Sequence, residues 1–463
     1  MKKPLLWIGV LLLSISMIAM FSLAGCKEEA TEEEVTEEEV AEEEEVAEEE
    51  AAEEEEVAAE VTTLTFWTFQ ELHQGFMDDA VATWNEANPD RQIELVTTVY
   101  PYEDMHNNLL ISLQAGTGAP DLADIEISQY ANYLKGDTPS FVALNDIIEP
   151  IKDNLVMGRF ESYAKDGNYY GVDYHVGATV MYYNTEILGQ AGVSVDDIKT
   201  IADYVEAGKT VVAETGIPIT TVEVTEHWTF YQELIKAGGD IFDTNGDVIL
   251  DSQTNIDVLQ ALSDWVNVDG IAVAAPGGFH HSEEYWAFMN EGGAASLEMP
   301  MWYMGRFTAY MPDLAGKITI APAPSWTEGG ARSAGMGGTG TSITTQCQNP
   351  DLAKEFLAFA KLSREGSIKT YTILGFDPLR SDVWDAPEMT APNDFTDYFV
   401  NGTGIFSVLT EIKDEILPTV ITSKYPAAIN LLKANATFKA VQEQSATPEE
   451  VLTQIAEELR AME

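Results

Sequence analysis

Thr63-Leu64-Thr65-Phe66-Trp67-Thr68-Phe69 is followed at once by Phe76 to Ala87, which ends in Trp84-Asn85-Glu86-Ala87-Asn88-Pro89. The first run is rich in aromatic and β-branched residues and reads as a strand. The second places Met77, Ala80, Val81 and Trp84 at three- and four-residue steps and reads as a helix. Asn88-Pro89 stops it. The pattern then repeats. Gln92 to Tyr100 is a second strand, Tyr102 to Ala115 a second helix closed by Gly116, and Leu122 to Ile127 a third strand. Strands alternating with helices predict parallel βαβ units. Further helices are expected over Ser194 to Glu214, Asn255 to Val268 and Asn349 to Leu362. Thr447-Pro448-Glu449-Glu450 reads as a capping box opening a C-terminal helix.

Upstream, Lys2 and Lys3 precede an apolar run from Leu5 to Met20, and Leu23-Ala24-Gly25-Cys26 follows. A charged start, an apolar core and small residues before the cut make an export signal. Leu-Ala-Gly-Cys resembles the bacterial lipobox, in which the cysteine is acylated and becomes the new N-terminus. A membrane anchor that merely ends in cysteine is the alternative. The run is short for that, since about 17–25 residues are needed to span a bilayer. Residues 1–26 are thus read as signal and lipobox. Residues 28–60 carry 20 Glu and no Lys or Arg. Like charges at i,i+4 oppose a helix there, so residues 27–60 are read as an extended, self-repelling spacer.

Residues 61–463 hold 58 acidic against 21 basic side chains, a formal charge near −37 out of −54 for the chain. Phosphate contacts need a basic surface, so nucleic acid is excluded as a partner. Some 400 residues exceed one compact core, so two lobes are expected. After Cys26 only Cys347 remains, so no internal disulfide can form.

Several patterns that look chemical are discounted. Gly335, Gly337 and Gly340 match G-x-G-x-x-G, but a strand-like Ser342 to Thr345 follows them where a dinucleotide site needs a helix. Asp243-Thr244-Asn245-Gly246-Asp247 resembles the start of a calcium loop, yet Val248 and Thr254 stand where Gly and Glu are required. A hairpin turn on Asn245-Gly246 accounts for it better. Adjacent His280 and His281 on an extended segment would face opposite ways, so no metal site is assigned. Nothing nominates a catalytic nucleophile or a cofactor.

Aromatic residues stand out instead. Trp67 and Phe69 end the first strand, where ligands bind in open α/β sheets. Tyr169, Tyr170, Tyr174, Tyr182 and Tyr183 cluster around Gly171 and Gly177. Trp228, Trp286, Trp302 and Trp326 lie near turns, whereas Trp84 and Trp265 fit helix-face core positions. A flat ring suits the C–H face of a sugar, with nearby carboxylates and amides for its hydroxyls. The candidate ligand-binding residues are Trp67, Phe69, Asp124, Glu126, Tyr174, His175, Trp228, Trp286, Trp302, Gly338 and Arg380.

The opening strand and helix, Gly116-Thr117-Gly118-Ala119-Pro120-Asp121, and Gly171-Val172-Asp173-Tyr174 leading to Met181-Tyr182-Tyr183-Asn184 occur in order. Gly337 to Gly340, Asn349-Pro350 with Glu355-Phe356-Leu357, and Gly375-Phe376-Asp377-Pro378-Leu379-Arg380 follow. Together they resemble the extracellular solute-binding proteins, family 1, of ABC transporters, especially those serving oligosaccharide uptake. This chain departs near Asp173, where the family usually has Pro. The resemblance implies an α/β, two-lobe, type II binding-protein fold of parallel and mixed sheets with a central cleft. The N-lobe would comprise 61–173 and 318–375, and the C-lobe 174–317 and 376–463. It further implies a monomeric receptor, not an enzyme, that closes over a sugar and delivers it to the permease transmembrane subunits. A binder of another polar or cationic solute, a secreted carbohydrate-active enzyme, and a tethered adhesion or sensor protein are the competing readings.

Only lipid at Cys26 would hold such a chain to a membrane, because the acidic spacer is repelled by anionic headgroups. Cys26→Ser should therefore leave the protein unlipidated and shift it from the membrane pellet to the supernatant on fractionation. Retention equal to wild type would overturn the lipobox reading.

Overall fold

In a computed structural model, the structure describes residues 61–136 and 139–462. The lipobox and the acidic spacer lie outside the described residues. Strand β1 (Thr62–Thr68) leads into helix α1 (Glu71–Ala87), β2 (Ile93–Val99), α2 (Tyr102–Ala115) and β3 (Leu122–Glu126). β1 pairs in parallel with both β2 and β3.

Side chains in the opening motifs explain why these elements join as they do. Helix α1 buries His73, Phe76, Met77, Ala80 and Trp84 along one stripe. Asn85 then clamps the start of β2, its Nδ2 donating to Ile93 O at 2.9 Å and its Oδ1 accepting from Ile93 N at 2.8 Å. Asp121, ahead of β3, accepts from both Thr65 N and Thr65 Oγ1 of β1 at 2.8 Å. These two polar clamps set strand register where the hydrophobic pattern alone leaves slack.

The chain continues through β4 (Thr179–Asn184), α3 (Ile201–Thr215), α4 (Trp228–Lys236), α5 (Glu283–Asn290), β5 (Ser296–Pro300), α6 (Met304–Tyr310) and β6 (Ile318–Ala321). Strands β6, β4 and β5 form a second, antiparallel sheet in that order. β7 (Thr339–Ile343) then returns to the first sheet, antiparallel to β3, giving the order β7-β3-β1-β2. Helices α7 (Tyr425–Thr437) and α8 (Pro448–Ala461) close the chain.

Two sequence expectations are corrected. Ile318–Ala321 pairs with β4 of the second sheet, so the chain re-enters the first sheet near Thr339, not at 318. Helix α3 starts at Ile201, not Ser194, because Thr200 and Asp203 form a capping box there. The helix expected over Asn349 to Leu362 is present, as Pro350–Leu357 continued to Leu362 by a π-helical turn. The hairpin at Asn245-Gly246 is present, with Phe242 bridged to Val248 and Gly246 at φ +85.

Between the sheets the chain crosses at residues 172–178 and again at 335–339, and one buried carboxylate ties these stretches together. Asp173 Oδ2 accepts from Arg159 Nη2 at 2.8 Å and from Tyr163 OH at 2.6 Å. Its Oδ1 accepts from Tyr174 N at 2.7 Å and Thr339 N at 3.0 Å. Arg159 also donates to the carbonyls of Gly335 and Gly337. Burial alone would raise the Asp173 carboxyl. The Arg159 charge and the hydrogen bonds outweigh that and hold it well below the usual carboxylate range. Asp173→Ala strands a buried guanidinium, and a loss of about 3–5 kcal/mol is expected. Urea unfolding of wild type and variant measures it.

Candidate ligand cleft

The ends of β1 and β3, the start of β7 and the crossing segment meet residues from the second sheet's flank around a cavity of about 540 Å³. Phe69 and Gln70 come from the β1–α1 turn, Leu72 and His73 from the first turn of α1, Glu126 and Ser128 from the end of β3, and Gly337 to Thr339 from the approach to β7. His227 and Trp228 open α4. Phe279, His281, Trp302 and Arg306 face them, with His175, Phe376, Tyr102, Glu226 and Lys433 completing the wall.

Aromatic rings hold one another in place. Trp302 Nε1 donates to Met336 O at 3.1 Å. Its ring meets Trp228 edge-on at 5.4 Å and stacks on His281 at 5.5 Å. Opposite, Phe69 packs edge-on to Tyr102 at 5.2 Å. Such contacts fix ring orientation before any ligand arrives.

Polar groups are equally constrained. Asp124 is fully buried under the cavity, accepting from Thr68 Oγ1 at 2.8 Å, Thr341 Oγ1 at 2.5 Å and Tyr174 OH at 3.2 Å. His73 Nδ1 lies 2.9 Å from its Oδ2. Burial pushes the Asp124 carboxyl up, but His73, Lys361 and Thr341 outweigh it and hold it below its ordinary value. An ionised Asp124 can only accept, so His73 carries a proton on Nδ1. Glu126 Oε2 accepts from Ser128 N at 2.9 Å and Tyr102 OH at 3.0 Å, while burial raises its carboxyl. His106 donates to Tyr102 O and accepts from Glu126 N at 3.1 Å, which seats that carboxylate. Arg306 has no ion pair among the described residues, whereas Lys433 pairs with Glu226 at 3.0 Å.

Gly338 sits at φ +143, in the region that favours glycine. A Cβ there would collide with Arg159, Asp173 and Tyr163. The cavity wall at this point therefore rests directly on the buried ion pair.

Of the sequence-nominated residues, Phe69, Glu126, His175, Trp228, Trp302 and Gly338 line the cavity. Trp67, Asp124, Tyr174, Trp286 and Arg380 do not. Leu64, Phe66 and Thr68 of β1 face the core, so the period of two turns Trp67 to the opposite side, edge-on to Tyr100 at 5.1 Å. Tyr174 is core, stacked on His73 at 4.0 Å with Lys361 Nζ 3.1 Å above its ring. Trp286 stacks on Tyr310. Arg380 is neutralised by Asp382, at 2.6 and 2.9 Å. Sequence reasoning missed His73, His227, His281 and Arg306. Glu226-His227 beside Trp228 was the one local signal for part of that group. Adjacent His280 and His281 do part company: His280 turns inward to Thr221 Oγ1 at 2.9 Å, and His281 faces the cavity. Among the described residues no cluster could hold a metal ion, and no helix is long and apolar enough to cross a membrane.

Comparison with known proteins agrees with this architecture. The model for bacterial extracellular solute-binding proteins matches residues 68–365. An arabinooligosaccharide-binding protein of Bacillus subtilis is 51% identical over 399 residues, covering 86% of this chain and 92% of the relative. One from Halalkalibacterium halodurans is 51% identical over 400 residues, covering 86% and 89%. Among solved structures, the sugar-binding protein MalE of Xanthomonas citri superposes with a TM-score of 0.71 at 17% identity, covering 86% of this chain and 98% of that one. That likeness shows a shared fold.

Burial holds the His175 ring neutral, lowering its pKa to about 3. Unfolded, it takes up a proton near its ordinary value of about 6.5. Both states are neutral at pH 7. As pH falls below about 6.5, only the unfolded chain binds the proton, so stability drops until the folded ring also titrates. His175→Asn removes this term. Between pH 7 and pH 5 the variant should lose about 2 kcal/mol less stability than wild type in urea titrations. Equal losses would show that the ring is already charged when folded.

Proposed function

The chain belongs to the bacterial extracellular solute-binding proteins, and we propose that its cleft captures an arabino-oligosaccharide and closes over it for delivery to an ABC permease. The observation that carries this is the cavity wall: aromatic faces on both sides, interleaved with oriented acceptors and donors. Trp302, Trp228 and Phe69 offer faces for C–H surfaces of sugar rings, while Glu126, His73, His175 and Arg306 offer hydrogen bonds to hydroxyls. Both relatives at 51% identity bear the name of that sugar class. The family binds solute rather than transforming it, and acts outside the cytoplasm. A monomer tethered through lipid on Cys26 completes the reading, with hinge motion at the two crossing segments.

Calorimetry and thermal shift test it. Arabino-oligosaccharides should raise the melting temperature, because a ligand of the native state alone stabilises by about 2.7 kcal/mol at 100 times its Kd. Maltose and lactose should have little effect, and the arabino-oligosaccharide should be recovered intact. Trp302→Ala should weaken binding by about 1–3 kcal/mol, the worth of one stacked ring. Cleaved sugar, or no shift with any arabino-oligosaccharide, would overturn the proposal.

A further inference from the structure

Outside the cavity one pair of aromatic rings has no evident packing purpose on its outer side. Trp286 of α5 and Tyr310 of α6 lie face to face, centroids 4.0 Å apart and planes 3° from parallel. Tyr310 is 45% exposed, the one aromatic ring so exposed among the described residues.

Two routes connect this pair to the cleft. Along α6, Arg306 lines the cavity and Tyr310 stands four residues later on the same helix face. Through side chains, the cavity-lining His281 ring meets Tyr303 edge-on at 5.3 Å. Tyr303 OH accepts from Trp286 Nε1 at 3.2 Å and itself donates to His280 O. The platform is therefore one helical turn beyond the cavity wall and is fixed to it by hydrogen bonds.

We infer that Tyr310, backed by Trp286, is an outer subsite that stacks a sugar residue of an oligosaccharide whose other residues fill the cavity. This rests on the reading of the cleft as an arabino-oligosaccharide site. A ring held rigidly by a parallel partner has lost its rotamer freedom before binding, so stacking a sugar on its outer face costs little further order. A chain too short to leave the cavity cannot reach it. Tyr310 would thus favour longer chains.

The test is a calorimetric series on the full chain with arabino-oligosaccharides of increasing length, for wild type, Tyr310→Ala and Tyr310→Phe. Wild-type affinity should rise once the chain is long enough to leave the cavity. Tyr310→Ala should bind those longer chains roughly ten-fold more weakly, the worth of one stacked ring, and the shortest ligand unchanged. Tyr310→Phe should bind like wild type. Affinity for long chains unaffected by Tyr310→Ala, or lost equally for short and long chains at an unchanged melting temperature, would overturn the subsite while leaving the cleft reading intact. Wild type binding no arabino-oligosaccharide of any length would overturn the cleft reading, and the subsite with it.

Discussion

The buried pair of Asp173 and Arg159 is the constraint on which the cleft depends. A two-sheet protein that hinges must keep its crossing segments in register while the sheets move. Asp173 does this by accepting from groups on both: Tyr174 N on the outgoing segment and Thr339 N on the returning one. Arg159 adds the carbonyls of Gly335 and Gly337. A buried charge pair gives little net stability over an apolar substitute. It does dictate one arrangement of backbone, and Gly338 shows how tight that arrangement is, since no side chain fits over the pair. The cavity wall and the crossing are one piece of structure.

A second buried network repeats the device at the end of the first sheet. Asp124 on β3 gathers Thr68 from β1, Thr341 from β7, Tyr174 from the crossing and His73 from α1. Lys361 Nζ donates to Val172 O at 2.9 Å and to Thr341 Oγ1 at 2.5 Å, and lies over the Tyr174 ring. Each carboxylate thus fixes side chains or backbone that line the cavity without lining it itself. Nomination by residue type alone confuses these two jobs, as it did for Asp124 and Tyr174.

What the sequence made legible follows from range. The βαβ start, its stop at Asn88-Pro89, the strand after the glycines and the Asn-Gly turn depend on local periodicity and punctuation, and all are present in the fold. The position of β6 depends on which sheet accepts its hydrogen bonds, a long-range matter that four residues cannot encode. Trp67 and Phe69 both pack on the α2 side, and only Phe69, just past the strand's end, also reaches the cavity. His73, His227, His281 and Arg306 lie far apart in sequence and converge only through topology. None carries a motif, so no local reading could assemble them.

The lining also bears on how so acidic a chain can hold a cleft for an uncharged ligand. A formal charge of −54 would disfavour desolvating further carboxylates at a binding surface. Here the buried acids beneath the wall are matched: Asp124 against His73 and Lys361, Asp173 against Arg159. At the wall, Glu226 is paired with Lys433, and burial keeps His175 neutral at physiological pH. Glu126 is raised by burial while three donors saturate its Oε2. A charged solute entering this cavity would need a counter-charge to repay its lost hydration, and of the lining Lys and Arg side chains Arg306 is the one without an ion pair among the described residues. A polyhydroxylated solute needs only oriented donors, acceptors and ring faces, which are what the folded chain presents there.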